Sequence, residues 1–343
     1  MSRLLIVRVG AMGDVLHALP ALAGLRAAVP ELEVGWVIEP AWKPLLQADD
    51  GRMELVDRVH LADTRAWKRR PVSLTTLGEI AALGQELVAR KYDVCVDLQG
   101  SIRSGVIGWL AGATRFVGSE KPREGLARRL YGERVTVSAK NVIGQACELL
   151  GAALRTEVLP EMARVPFDPA AEAWATKLPE RFVLIAPTAG WGAKEWGASR
   201  FAELARGLKA NGWQVLVNAT ANGPASISEE VAGTGEAKIA RSTVAEMIAL
   251  VRRAALVIGG DTGPVHLAAA LGRPTVALFG PTDPERNGPA FPGARVKILR
   301  DQASVTSHKR MAETETGLAS IRVEEVVRES LAMLEEAKGK VNG

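Results

Sequence analysis

A single turn in the second half of the chain constrains the fold more than any other feature. The apolar residues 255–258 lead into Gly259-Gly260-Asp261-Thr262-Gly263-Pro264-Val265-His266, and residues 267–271 continue as a helical pattern. An apolar run that ends in a glycine turn predicts a buried parallel strand, and the helix after it presents free backbone N–H groups at the carboxyl edge of the sheet. Such an edge is where α/β proteins bind phosphate. On this stretch alone, a tight turn capped by Asp261 or Thr262 without a ligand is the alternative.

A similar turn, Gly10-Ala11-Met12-Gly13-Asp14, follows the first apolar run of the chain. It differs from the dinucleotide-binding fingerprint, in which glycines occupy the first, third and sixth positions. A carboxylate at the start of a helix repels a pyrophosphate, so this turn is not expected to hold a nucleotide. The helix dipole stabilises Asp14 as an ionised carboxylate, which is suited to accept a proton. An N-cap without a catalytic role is the alternative interpretation.

Strand-like and helical patterns alternate along the chain, which predicts parallel sheets covered by helices. The predicted strands are residues 4–9, 34–38, 56–61, 94–98, 182–186, 214–218, 255–258 and 275–279. The predicted helices are residues 15–28, 77–90, 101–110, 200–211, 244–253, 265–271 and 323–334. Because 343 residues suit two cores better than one, we predict two doubly wound, Rossmann-like α/β domains.

The predicted connection between the domains is segment 160–179, which is rich in proline and has no clear period. We assign residues 1–165 to the first domain and 166–343 to the second, and the last helix is a candidate for packing back on the first domain. Two such domains are expected to face each other across a cleft, the usual place for a site that takes two substrates. Thr243 and Glu246 have the spacing of a capping box at the start of a helix.

Composition and charge limit the partners and the cellular location that are expected. The net charge of +4 allows an anionic substrate or a membrane surface as a partner and gives no reason to expect nucleic acid. Cys95 lies in an apolar strand and Cys147 in a helical pattern, which predicts buried free thiols and a cytoplasmic location. No apolar run approaches the ~18 residues of a spanning helix. Arg8 and Asp14 interrupt the first apolar run too early for a signal peptide, so that run is predicted to be a strand.

Lys194 is a further candidate for binding phosphate, whereas the histidines give no sign of a metal site. The glycine-rich stretch 187–196 follows a predicted strand and contains Lys194, which such a turn can bring to a phosphate. A surface lysine without a ligand is the alternative. The four histidines are scattered without cysteine or acidic partners at ligand spacing, so no metal and no cofactor is expected.

These motifs resemble those of the lipopolysaccharide heptosyltransferases, glycosyltransferase family 9, and most of all the heptosyltransferase I branch. The similar segments are residues 12–22, 97–100, 123–127, 259–267 and 279–284. The Asp-Thr-Gly-Pro-x-His and Gly-Pro-Thr-Asp-Pro motifs in the last two segments are the most specific for the family. The resemblance implies a GT-B fold, with the acceptor mainly on the first domain and the nucleotide sugar mainly on the second.

The resemblance also implies a reaction and a site. The family transfers L-glycero-D-manno-heptose, with inversion and without a metal, from ADP-heptose to Kdo of the inner core (Kdo-lipid A). The resemblance implies that Asp14 is the general base. It also implies a nucleotide-sugar site formed by Thr188, Lys194, Asp261, Thr262, Gly263 and His266. The expected acceptor-binding residues are Gly13, Arg65, Lys68, Arg69, Arg70, Gln99, Arg103 and Arg123. Because the acceptor is an anionic lipid, the basic residues also imply peripheral contact with the cytoplasmic face of the inner membrane.

The sequence departs from the family pattern after the predicted strand 214–218. Family members commonly carry an acidic residue there for the ribose hydroxyls, whereas this loop reads Asn218-Ala219-Thr220-Ala221-Asn222-Gly223-Pro224. Another nucleotide sugar, such as a hexose or N-acetylhexosamine donor, is therefore an alternative within the family. The polar stretch 301–317 is predicted to be a loop before the last helix.

Two functions outside the family are alternatives. Two Rossmann-like domains suit a nicotinamide-dependent oxidoreductase, but the chain has no Gly-x-Gly-x-x-Gly turn. A non-catalytic nucleotide-sugar or lipid A binding protein is the other alternative, although pure binding does not require a base such as Asp14.

Overall fold

The structure, a computed structural model, describes residues 2–221, 227–307 and 313–339. The chain divides into two compact units, residues 1–166 and 167–343. Each unit is built around a parallel six-stranded sheet covered by helices. The described residues contain no helix that is both long enough and apolar enough to span a bilayer.

The described residues of the first unit form six strands and five α-helices. The strands are β1 (Arg3–Val7), β2 (Glu33–Ile38), β3 (Arg58–Leu61), β4 (Val94–Asp97), β5 (Arg115–Ser119) and β6 (Glu133–Val135). The helices are α1 (Met12–Ala28), α2 (Thr64–Arg69), α3 (Leu74–Ala89), α4 (Ile102–Leu110) and α5 (Val142–Leu154), with 3₁₀ helices at Pro40–Leu45 and Gly125–Arg129. The strand order is β3-β2-β1-β4-β5-β6.

The second unit repeats this plan. Its strands are β7 (Phe182–Ala186), β8 (Gln214–Thr220), β9 (Lys238–Ser242), β10 (Leu256–Gly260), β11 (Thr275–Leu278) and β12 (Val296–Leu299). Its helices are α6 (Pro169–Ala175), α7 (Ala198–Ala210), α8 (Ile227–Gly233), α9 (Val244–Arg253), α10 (Gly263–Ala270), α11 (Pro284–Asn287), α12 (Thr316–Ser320) and α13 (Val323–Gly339), with a 3₁₀ helix at Gly192–Lys194. The strand order is β12-β11-β10-β7-β8-β9.

The central strands are mostly apolar because helices cover both faces of each sheet. In β1, the four residues from Leu4 to Val7 are fully buried, and in β7 the five residues from Phe182 to Ala186 are buried as well. The α/β fold class with two doubly wound units is thus confirmed. Cys95 in β4 and Cys147 in α5 are buried free thiols, as predicted.

The strand order places a topological switch point in each unit. In the first sheet it lies between β1 and β4, where Val7 pairs with Asp97. In the second it lies between β7 and β10, where Ala186 pairs with Gly259. The chains that leave two such strands diverge to opposite sides of the sheet and open a crevice at its carboxyl edge. Both glycine turns found in the sequence follow a strand at one of these switch points.

Several elements differ from the sequence-based prediction. Segment 160–179 is predicted to connect the domains and shows no clear period, yet it contains α6, with Asp168 as its N-cap and Pro169 in its first turn. This proline is a helix-start residue rather than a linker residue. The short strands β5, β6, β9 and β12 and the helix α2 were not predicted, because elements of three to six residues show too little periodicity.

Two predicted helix boundaries can be compared with the structure. The capping box of Thr243 and Glu246 is present, with Glu246 N–H donating to the Thr243 hydroxyl at 3.2 Å and Thr243 N–H donating to the Glu246 carboxylate at 2.8 Å. Helix α1 begins at Met12, three residues before the predicted start at 15. The last helix, α13, packs against α7 and the core of its own unit, to which it contributes Val326 and Leu334.

Candidate active site

Asp14 lies at the switch point of the first sheet, in the first turn of α1. Its Oδ2 accepts a hydrogen bond from Ala11 N–H at 3.2 Å, and its Oδ1 is 3.0 Å from Nη2 of Arg8. The same guanidinium donates through Nη1 to the carbonyl of Leu98, which follows β4. Ala11, and not Asp14, is the N-cap residue of α1. Because the side chain is still 41% exposed, the oriented carboxylate can meet a substrate hydroxyl.

Gln99 holds the turn that carries Asp14. Its side-chain oxygen accepts from the backbone N–H groups of Val9 at 2.9 Å and Gly10 at 3.4 Å. The sequence-based expectation was a residue near the acceptor sugar. The structure adds a contact from its amide oxygen to the backbone of the Asp14 turn.

A buried carboxylate beneath Gln99 was missed at the sequence level. Asp97, at the end of β4, accepts from the N–H groups of Gln99 at 2.8 Å and Gly100 at 3.0 Å. It also accepts from the hydroxyls of Ser104 at 2.9 Å and Tyr131 at 2.8 Å. Burial raises the pKa of Asp97 above its ordinary value, and these hydrogen bonds oppose that shift. An acid at the end of an apolar strand, followed by Leu98-Gln99-Gly100, was the available signal.

Two of the predicted acceptor-binding arginines belong to one polar network at the carboxyl edge of the first sheet. Arg65 Nε lies 2.8 Å from a carboxylate oxygen of the buried Glu39, and its guanidinium stacks 5.2 Å from the ring centre of Trp42. The hydroxyl of Thr64 donates to Glu39 and accepts from Nη1 of Arg103, the latter at 2.7 Å. Glu39 therefore holds Arg65 directly and Arg103 through Thr64, a role that the sequence did not indicate.

The other predicted acceptor-binding residues are less constrained. Lys68, Arg69 and Arg70 are exposed at the end of α2, and Arg70 lies 3.5 Å from Glu79. Arg123 is exposed on the loop after β5. Its backbone nitrogen packs against Gly100, where an added Cβ would approach to 2.9 Å and where φ is +68°. Gly13 directly precedes Asp14 in the first turn of α1.

The switch point of the second sheet brings three of the predicted residues into contact. Lys194, after β7, places Nζ 2.5 Å from Oδ2 of Asp261, which follows β10. The other oxygen of Asp261 lies 2.7 Å from Nε2 of His266 in α10. Burial by itself raises the pKa of Asp261, but the His266 hydrogen bond and the charge of Lys194 together hold that pKa well below its ordinary value. Both carboxylate oxygens are thus used to position a cation and an imidazole.

Glycines allow the two turns to approach this closely. A Cβ on Gly259 would lie 2.5 Å from the carbonyl oxygen of Ala186, and one on Gly260 would lie 3.0 Å from that of Lys194. Thr262 is the N-cap of α10, and its buried hydroxyl has no protein partner among the described residues. Gly263 is the first residue of α10, and the first N–H groups of a helix have no partner within the helix, an arrangement that favours an anion. Thr188 lies partly exposed two residues after β7.

The polar stretch predicted to be a loop supports the turn that carries Lys194. The hydroxyl of Thr314 donates to the carbonyl of Glu195 at 2.8 Å, and Glu315 N–H donates to that of Ala193 at 3.2 Å. The Glu315 carboxylate also caps α12 through Leu318 N–H at 2.8 Å. Residues 308–312 of this stretch lie outside the described residues. The sequence had indicated no role for the stretch 301–317.

The loop expected to contact the ribose is only partly described, since residues 222–226 lie outside the described residues. Asn218 is buried, and its side-chain oxygen accepts from the hydroxyl of Ser242 at 3.2 Å. Farther along, Glu229 is paired with Arg241. Asn218 therefore serves the packing of β8 against β9.

Comparisons with known proteins agree on one family. The profile of glycosyltransferase family 9 (heptosyltransferase) matches residues 80–317, a span that begins after Asp14. A lipopolysaccharide heptosyltransferase 1 from Pseudomonas aeruginosa is 30% identical over 314 residues, covering 87% of this chain and 84% of the relative.

Solved structures have the same fold. E. coli heptosyltransferase WaaC with ADP gives a TM-score of 0.76 at 24% identity, covering 98% of this chain and 99% of that one. WaaC with ADP-2-deoxy-2-fluoro heptose gives 0.74 at 24% identity, covering 95% and 98%. A glycosyltransferase of family 9 from Veillonella parvula gives 0.80 at 19% identity, covering 98% and 97%.

Proposed function

Because the chain belongs to glycosyltransferase family 9, the heptosyltransferase family, we propose that it transfers L-glycero-D-manno-heptose from ADP-heptose to a Kdo residue of Kdo-lipid A. The proposed reaction is a single displacement that inverts the anomeric carbon and requires no metal. Membership of this family sets aside the oxidoreductase and the non-catalytic binding protein that the sequence alone had left open.

The observation that carries the proposal is the pair of switch points. The switch point of the first sheet carries Asp14, an exposed carboxylate whose orientation is fixed by Arg8. At the switch point of the second sheet, the ion pair with Asp261 places Lys194 beside the N-terminus of α10. A glycosyl transfer from a nucleotide sugar needs these two components, a group that removes a proton from the acceptor and a cationic site for the leaving diphosphate.

In the proposed step, Asp14 takes the proton of the acceptor hydroxyl while the acceptor oxygen bonds to the anomeric carbon. The bond from that carbon to the β-phosphate oxygen breaks at the same time, and ADP leaves with the electron pair. The ion pair with Arg8 and the N–H of Ala11 orient the carboxylate before the reaction. Each carboxylate oxygen retains a lone pair for the incoming proton.

The leaving diphosphate gains negative charge as the bond breaks. Lys194 lies beside the first turn of α10, so an ammonium, the hydroxyl of Thr262 and backbone N–H groups are available to stabilise that charge. Lys194 has three N–H donors, and the contact with Asp261 leaves others for the phosphates. In this proposal, Thr188, Gly263 and His266 complete the nucleotide-sugar site.

The proposed acceptor surface is the carboxyl edge of the first sheet. Arg65 and Arg103 are held there through Glu39 and Thr64, and the exposed Lys68, Arg69, Arg70 and Arg123 add positive charge. Such a surface suits the carboxylate of Kdo and the phosphates of lipid A. It also supports peripheral binding at the cytoplasmic face of the inner membrane, where anionic lipids attract basic surfaces.

The second candidate is the same reaction with another nucleotide sugar. The observation in its favour is the loop after β8, where the buried Asn218 stands instead of an acidic residue and is engaged with Ser242. With Asn218 in this place, either another residue contacts the ribose or the enzyme uses another nucleotide.

The test is acceptor-dependent release of ADP. Purified enzyme is given ADP-heptose with and without Kdo-lipid A, in parallel with ADP-glucose, UDP-glucose and UDP-N-acetylglucosamine. We expect nucleotide release only from ADP-heptose and only with the acceptor. Turnover with one of the other donors and none with ADP-heptose would support the second candidate instead.

A further inference from the structure

Helix α4 carries an apolar stripe on the side that faces away from the sheet. Ile102, Val106 and Trp109 recur at the i, i+4 and i+7 positions, which places them on one face of a helix. All three side chains are exposed, and Trp109 is 63% exposed. The opposite face of α4, which includes Ile107, is buried against the sheet.

The apolar stripe continues onto the elements on either side of α4. Helix α3 is adjacent, since Gly84 packs against Leu110, and it exposes Leu74 and Leu77. The 3₁₀ helix at Gly125–Arg129 is adjacent on the other side and exposes Leu126. We call this the apolar face and define it as Leu74, Leu77, Ile102, Val106, Trp109 and Leu126. Its most exposed member, Leu74, is 87% exposed.

Basic residues outnumber acidic ones around the apolar face, where Glu79 pairs with Arg70 and the Glu124 carboxylate accepts from Ile102 N–H at 2.9 Å. The segments 64–78 and 98–112, which contain most of the face, hold five basic residues and no acidic residue. The basic residues are Arg65, Lys68, Arg69, Arg70 and Arg103. Soluble proteins rarely expose a connected group of large apolar side chains unless it contacts a partner. Apolar side chains with a tryptophan, bordered by cations, are complementary to the surface of an anionic bilayer.

The apolar face begins beside the proposed acceptor site. Helices α3 and α4 both start near the carboxyl edge of the first sheet, where α1 brings Asp14. A bilayer in contact with Leu74 and Ile102 would therefore lie next to the edge at which the acceptor sugar is expected. This part of the inference rests on the proposed function, because a lipid-linked acceptor is what requires an enzyme to work at a bilayer.

We propose that the apolar face inserts into the surface of an anionic phospholipid bilayer, with the basic residues around it contacting the lipid headgroups. A second copy of the chain is the competing occupant, since an apolar face can also close a dimer. The basic residues favour the bilayer, because two copies of the face would bring like charges together.

The test is binding of the full chain to vesicles without donor or acceptor, so that its result does not depend on the proposed reaction. Co-sedimentation is measured with vesicles of equal parts phosphatidylglycerol and phosphatidylcholine and with vesicles of phosphatidylcholine alone. The variant is Trp109→Ser with Leu74→Ser, and the matched control is Leu159→Ser with Met162→Ser, whose side chains are 65% and 63% exposed elsewhere in the first unit. Thermal unfolding verifies that both variants fold.

We expect binding to the anionic vesicles to fall at least about tenfold in the Trp109/Leu74 variant and to stay unchanged in the control. We also expect weaker binding of the unaltered protein to phosphatidylcholine alone. Equal binding by the Trp109/Leu74 variant and the unaltered protein would overturn the proposal. So would a dimer of the unaltered protein that the same two substitutions convert to a monomer, because the face would then be an interface between copies. Either result would leave acceptor-dependent release of ADP, the test of the proposed function, unaffected.

Discussion

The Nζ atom of Lys194 lies 2.5 Å from Oδ2 of Asp261, although the two residues are 67 positions apart in the chain. The contact joins the turn after β7 to the turn after β10, so that both sides of the second switch point act as one unit. Because each charge would be poorly hydrated in this place, each depends on the other. Asp261 therefore acts as a positioning residue for Lys194 and His266.

Replacing Lys194 is expected to weaken both binding and turnover. Lys194→Ala removes the ammonium that the proposed mechanism places beside the diphosphate, and we expect kcat/KM to fall roughly 10²- to 10³-fold with weaker binding of ADP. Steady-state kinetics and calorimetry with ADP measure the two effects. Lys209→Ala, at an exposed lysine near Glu236, is the matched control and should change neither. Unchanged affinity and rate in Lys194→Ala would remove Lys194 from the phosphate site.

The second prediction concerns stability and pH. Asp261→Asn is expected to destabilise the protein by about 3 kcal/mol at pH 7, because Lys194 stays buried without its counter-charge. The pKa of Asp261 is lowered in the folded state, so its stabilising contribution is complete above the ordinary carboxyl pKa and is lost as the pH falls below it. The difference between the two proteins should shrink below about pH 4, by up to roughly 1.4 kcal/mol per pH unit.

Urea unfolding at pH 7 and at pH 3.5 measures this difference. Glu236→Gln serves as the control, because Glu236 pairs with Arg206 and Lys209 at the surface and its loss should have a smaller effect. A difference between Asp261→Asn and the unaltered protein that grows as the pH falls would contradict the assignment of a lowered pKa.

Asp14→Ala tests the proposed base. We expect kcat to fall by about 10³-fold or more while the affinity for ADP-heptose stays within about threefold, because Asp14 acts on the acceptor hydroxyl and not on the nucleotide. Acceptor-dependent release of ADP and a donor-binding titration give the two numbers. Asp50→Ala, which removes an exposed carboxylate paired with Arg52, is the control. Full activity of the Asp14→Ala enzyme would show that Asp14 is not the general base.

The contact of Gln99 with the backbone of Val9 and Gly10 predicts an effect through Asp14. Gln99→Ala is expected to lower kcat about 10- to 100-fold with little change in the KM for the acceptor, since the turn loses an anchor and the base is displaced. Gln99→Glu retains an acceptor oxygen and should recover part of the rate. A raised acceptor KM with unchanged kcat would instead indicate direct contact between Gln99 and the acceptor.

The exposed arginines at the end of α2 should act on acceptor binding alone. Arg69→Ala with Arg70→Ala is expected to raise the KM for the acceptor about 5- to 10-fold at low salt, with kcat nearly unchanged. The effect should diminish at 0.5 M salt because exposed charges are screened. Arg206→Ala, in the second unit, is the control. An acceptor KM that does not respond to the double substitution would place the anionic groups of the acceptor elsewhere.

The local predictions succeeded for most patterns that were long or chemically specific, although the 13-residue helix α5 was not among the predicted helices. The fully buried runs of β1, β7 and β10 lack the alternation of a half-exposed strand, and the glycine turns after β1 and β10 stand where the structure has them. Helix α6 was missed because the four prolines of segment 160–179 were interpreted as a linker, although Pro169 stands where a helix begins. The strands β6 and β12 were missed because they are only three and four residues long.

The sequence by itself determined the residue types at each turn, since only glycine fits the approach of β10 to Ala186 and only an apolar strand can be buried on both faces. The tertiary structure determines which of those residues contact each other. Glu39 anchors Arg65 and Thr64, Asp97 supports Gln99, and Asp261 takes both Lys194 and His266. These partners are brought together by parallel strand pairing, which aligns the carboxyl ends of strands far apart in sequence. Local periodicity carries no information on that alignment, because it depends on the order of strands in the sheet.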